Sequence, residues 1–129
     1  MPLLKSFLHA LHGLLHAYAR ERNLQIFTVV YVLMLVLGGY VRLLTWEWLA
    51  LILAGGLFLT VELLNTAIER LTDVLDHERK LLGRTEYHEG MKWTKDVAAS
   101  ASLMSLLIVI VVIVIVFWPY GEIVLGSRW

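Results

Sequence analysis

The chain has no cysteine and few charged residues, and each shortage excludes a class of protein. None of its 129 residues is cysteine, so disulfide bonds and metal sites built from thiolates are excluded. Charged residues make up 17% and hydrophobic residues 59%, which is too apolar for an ordinary soluble domain. The glycine-rich loops G-x-x-x-x-G-K-S/T and G-x-G-x-x-G are also missing, so any nucleotide must be bound without such a loop.

The hydrophobic residues form three long runs, which indicates an integral membrane protein. Each run meets or approaches the roughly 20 residues that a helix needs to cross a bilayer. The last run has no polar residue from Leu106 to Trp118. We therefore predict one all-α integral membrane domain over residues 1–129, with membrane helices over 24–44, 48–69 and 97–118. The second is expected to extend into a cytoplasmic segment over 70–96. Glycine pairs at 38–39 and 55–56 are expected to allow close helix contacts.

The first 22 residues are not expected to form a cleavable signal peptide, because they have no continuous apolar stretch and carry charges and histidines. Leu4, Phe7, Leu11 and Leu15 recur at helical spacing, whereas the charged residues fall largely elsewhere. This pattern predicts an amphipathic helix over 1–22 that lies on the membrane surface.

Charge is distributed unequally between the two sides of the membrane. Most basic residues precede the first run or lie between the second and third, so the positive-inside rule places the N-terminus and the 70–96 segment in the cytoplasm. Nine of the 11 acidic residues and all five histidines are on the same side. This asymmetry favours chemistry at the cytoplasmic surface over a channel, which would need polar residues through the outer half of the spans.

Four polar residues near the end of the second run share one helix face. They are spaced by 3, 4 and 4 positions, within an arc of about 80°, and are Glu62, Asn65, Glu69 and Asp73. Carboxylates beside lipid are costly and need a cation, a proton or a partner. Glu62, enclosed by apolar residues, is the candidate general base, and Glu69 is the candidate ligand of a divalent cation. The structural alternative is a hydrogen-bonded pair of Glu62 and Asn65 that serves helix packing.

Two further polar clusters are expected on the same side of the membrane. Glu21 lies where the surface helix meets the first membrane run, and an acid in this position does nothing for anchoring to an anionic membrane. Lys95 and Asp96 precede the third run, and Lys95 is a candidate phosphate contact with Asp96 as its partner. His88 is either a nucleotide contact or an ordinary surface histidine.

These residues resemble the small prokaryotic diacylglycerol kinases, a family that includes the undecaprenol kinases. The resemblance rests on the run from Val61 to Asp73, on the Glu-Tyr-His sequence at 86–88 and on Lys95-Asp96. It extends upstream to Glu21-Arg-Asn23, Gly13 and Ser6-Phe7, so it covers nearly the whole chain. It implies ATP-dependent phosphorylation of a membrane lipid alcohol, assisted by Mg²⁺. It also implies a homotrimer in the bacterial inner membrane, with active sites shared between subunits and with no nucleic acid as a partner.

The resemblance implies a role for each matching residue. Glu62 takes the place of the catalytic base, Asn65 and Asp73 line the active site, and Glu21 and Glu69 hold the metal. The nucleotide contacts that it implies are Glu21, Glu69, Glu86, Tyr87, His88, Lys95 and Asp96.

The chain departs from the family in two places. The segment Asp76–Gly83 has no counterpart, and we expect it to extend the cytoplasmic helix without contacting the acceptor lipid. Two nucleotide contacts in the family's N-terminal helix fall on Pro2 and His9 here. The acceptor stays open between diacylglycerol and undecaprenol. The competing class is a non-catalytic assembly or regulatory protein, although a scaffold gains nothing from a buried Glu62.

Overall fold

A computed structural model describes residues 1–86 and 88–126 of the chain. Within these ranges the chain is helical and contains no strand, which confirms the predicted all-α class. The last two helices, which are short, were not predicted. The elements in chain order are α1 (Pro2–Arg20), α2 (Arg22–Val41), α3 (Thr45–Leu81), α4 (Glu89–Phe117), a 3₁₀ helix (Trp118–Tyr120) and α5 (Gly121–Leu125).

Helices α2, α3 and α4 are long and apolar enough to cross a membrane, with mean hydropathies of 2.1, 1.8 and 3.0 over their most apolar stretches. Large side chains such as Val36 and Ile115 are exposed on their outer surfaces, where a soluble protein would place polar residues. The prediction of three membrane-spanning helices is therefore confirmed.

Helix α1 is amphipathic and packs lightly on the other helices. Its contacts with α2 include a hydrogen bond of 2.8 Å between the hydroxyls of Tyr18 and Thr28, and Ala17 is its only buried residue. Phe7 and Leu15 are exposed on its apolar face. Such a face is suited to lie on a bilayer surface.

The predicted membrane segments differ from the helices at several ends. Helix α2 ends at Val41 rather than at 44, because Arg42 adopts a left-handed backbone conformation with φ of 60°. Helix α3 continues beyond position 69 to Leu81, and at 1.5 Å per residue its length of about 55 Å exceeds the ~30 Å of a bilayer core. It ends where Gly83 takes a φ of +76° and the Arg84 amide donates to the Arg79 carbonyl oxygen.

The core lies where aromatic side chains of α2 fill the space beside α3. The ring centroids of Phe27 and Phe58 are 4.0 Å apart, and Tyr31 donates a hydrogen bond of 3.1 Å to the Leu51 carbonyl oxygen. A Cβ atom at Gly55 would overlap the ring of Tyr31, so glycine is required there for close helix contact. The second glycine of that pair, at position 56, faces open space.

Candidate functional site

The polar stripe of α3 lies on one face of the helix and passes from the protein interior to its surface. Glu62 is 4% exposed and Asn65 9%, whereas Glu69 is half-buried and Asp73 is exposed. The predicted placement of Glu62 within the apolar part of the bundle is therefore observed. A buried carboxylate needs a polar partner or a proton.

Glu62 is contacted by a serine of the neighbouring helix. The hydroxyl of Ser102, in α4, donates a hydrogen bond to Glu62 Oε2, and both side chains are buried. The sequence analysis did not identify Ser102. A polar residue in an apolar membrane helix is a signal for such a contact, but Ser100 and Ser105 carry the same signal.

Asn65 has an acceptor atom that the described residues leave without a partner. Its Nδ2 donates to Glu69 Oε1 over 3.3 Å, while its buried Oδ1 receives no hydrogen bond from them. A buried carbonyl oxygen without a donor costs about 1–3 kcal/mol. Asn65 lines a cavity, so Oδ1 is open to a hydrogen-bond donor of a bound molecule or to a bound cation.

The cavity beside the stripe is a groove of about 490 Å³ between α2, α3 and α4, which we call the apolar groove. Most of its wall is hydrocarbon, and its polar end is formed by the stripe residues and Ser102, together with Asn23 of α2. It is lined by Asn23, Ile26, Phe27, Val30, Phe58, Glu62, Asn65, Glu69, Ala99, Ser102, Leu103 and Leu106. Such a wall is suited to an apolar ligand that carries a polar group at one end.

A second cavity of about 450 Å³ lies further along the same face of α3, and we call it the charged pocket. Glu69 lines the apolar groove and Asp73 lines the charged pocket, and one helix turn, about 6 Å along the axis, separates these residues. Lysines and carboxylates dominate the lining of the charged pocket, which consists of Thr72, Asp73, Asp76, Lys80, Thr85, Glu86, His88, Met91, Lys92, Lys95 and Asp96.

Lys95 is held over the stripe by an ion pair. Its Nζ lies 2.5 Å from Asp73 Oδ1, so α4 is tied to α3 at the charged pocket. This hydrogen bond, which outweighs partial desolvation, raises the pKa of the Lys95 ammonium above its usual value. The ammonium is therefore charged at neutral pH, and it is available to an anion that enters the pocket.

Glu21 lies close to the stripe but contacts a different residue than the resemblance implies. Its Oε1 is 3.5 Å from Nη2 of Arg70, the residue that follows Glu69 in α3. This Nη2 is buried and makes no hydrogen bond of good geometry within the described chain. Across residues 1–86 and 88–126, no three His, Asp or Glu side chains are gathered as a ready metal site.

Comparison with known proteins shows the family to which the chain belongs. A family model described as prokaryotic diacylglycerol kinase matches residues 8–117. The chain belongs to this family. The resemblance found in the sequence is thus confirmed, and as a member of the prokaryotic diacylglycerol kinase family the chain is a lipid kinase.

Individual relatives of this kinase carry two different names. The undecaprenol kinase of Bacillus subtilis is 37% identical over 98 residues, which cover 75% of this chain and 72% of that protein. The diacylglycerol kinase of Helicobacter pylori is 31% identical over 118 residues, covering 92% and 79%. The diacylglycerol kinase of Synechocystis is 35% identical over 103 residues, covering 80% of this chain and 55% of that longer protein.

The remaining predicted site residues of the kinase lie around the charged pocket. Glu86, His88 and Asp96 line it, and His88 also caps α4, since its Nδ1 accepts a hydrogen bond of 3.2 Å from the Met91 amide. This cap starts α4 at Glu89, before the predicted membrane segment begins at 97. Tyr87 lies outside the described residues.

Proposed function

We propose that this kinase transfers the γ-phosphoryl group of ATP to the hydroxyl of a lipid alcohol, with Glu62 as the general base. The observation that carries the proposal is the buried Glu62 carboxylate on the wall of the apolar groove, with the charged pocket about three helix turns further along the same face of α3. The lipid chain occupies the groove and the nucleotide occupies the pocket. The two substrates thus meet along one face of α3.

The proposed reaction is an in-line phosphoryl transfer. Glu62 takes the hydroxyl proton of the alcohol while the alcohol oxygen forms a bond to the γ-phosphorus. The bond from that phosphorus to the bridging oxygen breaks, and ADP leaves with the electron pair. Lys95, charged and lining the pocket, offsets the negative charge on the phosphates, as positioned cations do in other phosphoryl transfers.

Magnesium fits the donor groups at the junction of the two cavities. The Glu69 carboxylate and the unpartnered Asn65 Oδ1 are hard oxygen ligands of the kind that Mg²⁺ prefers. Glu21 would join them by exchanging its ion pair with Arg70 for the cation. Mg²⁺ bound there would neutralise phosphate charge.

The proposal also includes the nucleotide contacts and the orientation of the protein in the membrane. Glu86, Tyr87, His88 and Asp96 contact the nucleotide, which enters from the cytoplasm. The distribution of basic residues supports an inner-membrane protein whose N-terminus and charged pocket face the cytoplasm. The extensive exposed apolar surface of α2 and α4 is compatible with a homotrimer as well as with lipid.

The polar groups of the groove favour undecaprenol over diacylglycerol as the acceptor. Glu62, Glu69 and the Asn65 carbonyl oxygen accept hydrogen bonds, and the Ser102 hydroxyl already donates to Glu62. Among the side chains that line the groove, only the amides of Asn65 and Asn23 then keep N–H groups for a ligand. A polyprenol brings a single hydroxyl on a hydrocarbon chain. A diacylglycerol also brings ester carbonyls, which would have few donors here and would lose hydrogen bonds on leaving water.

Both lipids should be tested side by side in one phosphorylation assay with the purified kinase in mixed micelles. We expect a higher kcat/KM for undecaprenol. Equal or better use of diacylglycerol would overturn the acceptor assignment, whereas phosphorylation of neither lipid would overturn the proposed reaction.

The metal assignment predicts a changed magnesium requirement in Glu69→Gln and Glu21→Gln. Each variant should raise the Mg²⁺ concentration for half-maximal rate by about tenfold or more, because losing ~1.4 kcal/mol of binding energy has this effect. Excess Mg²⁺ should partly restore the rate. Glu78→Gln, an exposed acid further along α3, is the matched control. An unchanged half-saturation in both variants would show that these acids do not bind the metal.

The inserted segment Asp76–Gly83 should affect the nucleotide rather than the lipid. In the described chain none of its residues lines the apolar groove, whereas Asp76 and Lys80, paired at 2.5 Å, line the charged pocket. Deleting the segment should leave a folded kinase with a higher KM for ATP and an unchanged choice of lipid. The milder variant Lys80→Gln should act in the same direction. A deletion that changes the lipid preference at an unchanged KM for ATP would contradict this placement.

A further inference from the structure

The hydroxyl side chains of α4 differ in the acceptors to which they donate hydrogen bonds. Thr94, Ser100 and Ser105 donate to main-chain carbonyl oxygens of their own helix, at distances of 2.7–2.8 Å. This is the usual behaviour of serine and threonine within helices. Ser102 instead donates across to the Glu62 carboxylate of α3. The Ser102 hydroxyl therefore makes a hydrogen bond between two helices, at the polar end of the apolar groove.

The protein has a second buried glutamate, whose hydrogen bonds are those of a residue with a purely structural role. Glu47, 3% exposed at the opposite end of the bundle, accepts hydrogen bonds of 2.7 Å from the Leu44 amide and from the Tyr120 hydroxyl. Glu47 lines neither the apolar groove nor the charged pocket. Among residues 1–86 and 88–126, Glu62 has one donor, the Ser102 hydroxyl, although a carboxylate can accept about four hydrogen bonds. Glu62 thus keeps acceptor capacity on a cavity wall.

We propose that Ser102 is a positioning residue for Glu62, which rests on the proposed role of Glu62 as the base. The Ser102 hydroxyl fixes Oε2 against α4, which leaves Oε1 to take the proton of the acceptor alcohol in the groove. Without Ser102, the Glu62 side chain would sample rotamers that do not present Oε1 to the alcohol.

The test compares Ser102→Ala with Ser102→Thr and with Ser105→Ala, a matched control that removes a buried α4 hydroxyl with no contact to Glu62. Per folded enzyme, Ser102→Ala should lower kcat about 10–100-fold, as expected for a misplaced catalytic group, and should change both KM values by less than about threefold. Ser102→Thr, which keeps the hydroxyl, should recover most of the rate. Ser105→Ala should stay within about threefold of wild type.

A double-mutant comparison with Glu62→Gln separates this inference from the proposed function. If Ser102 acts through Glu62, adding Ser102→Ala to Glu62→Gln should cause little further loss of kcat. The inference would be overturned if Ser102→Ala kept the wild-type kcat or lost no more kcat than Ser105→Ala. It would also be overturned if Ser102→Ala caused its full loss of kcat again when added to Glu62→Gln. An active Glu62→Gln variant would instead overturn the proposed function on which it rests.

Discussion

Glu62→Gln is expected to lower kcat about 10²–10⁴-fold, the usual cost of losing a general base. The amide has nearly the same shape as the carboxylate and can still accept the hydrogen bond from Ser102, so the packing of α3 against α4 is kept. The charged pocket does not include Glu62, and ATP binding should therefore be unchanged. Turnover and equilibrium ATP binding should be measured on the same purified preparation.

Glu47→Gln is the control for the loss of a buried carboxylate. Glu47 holds the Tyr120 hydroxyl and the start of α3, far from both cavities, so its replacement should lower thermal stability and leave kcat per folded enzyme within a few-fold of wild type. If Glu62→Gln behaves in the same way, with normal turnover, Glu62 has no part in proton transfer.

Lys95→Gln is expected to lower kcat about 10²–10³-fold, the range seen when one preorganised charge-stabilising group is removed. Its ammonium is fixed by Asp73 at 2.5 Å and lines the charged pocket, one helix turn beyond Glu69 of the groove. In the proposed reaction the phosphates of ATP lie between this ammonium and the acceptor alcohol. The loss should fall on kcat more than on the KM for ATP.

Lys92→Gln is the matched control for Lys95, because Lys92 lines the same pocket. Its side chain is exposed and its Nζ lies 5.9 Å from the centre of the Trp93 ring, without the ion pair that fixes Lys95. Its loss should reduce the rate only a few-fold. Equal losses in the two variants would mean that the pocket attracts phosphate through its overall charge and that Lys95 has no special position.

The fold and the stripe could be predicted because both depend on periodicity within single helices. A run of about 20 apolar residues determines a membrane helix, and the spacing of Glu62 and Asn65 determines their common face. The helix ends could not be read from hydropathy, which reports where apolar residues stop. They depend on local backbone features instead, namely the left-handed Gly83 after α3 and the His88 cap before α4.

The partner of Glu62 could not be predicted for a different reason. Periodicity states which residues share a face of one helix, but the pairing of Glu62 with Ser102 depends on how far α4 is shifted along α3 and on its rotation. Ser100 and Ser105 were equally plausible partners in the sequence. The same relative placement of α3 and α4 brings Lys95 to Asp73.

The central claim is that this kinase phosphorylates a lipid alcohol through Glu62, and one labelling experiment tests it most directly. Wild-type and Glu62→Gln proteins, each purified into bilayer discs with a total bacterial lipid extract, are given Mg²⁺ and ATP radiolabelled at the γ-phosphate. The account predicts a labelled lipid phosphate with the wild type and about 1% of that label or less with the variant. No labelled lipid with the wild type, or equal labelling by both proteins, would contradict it.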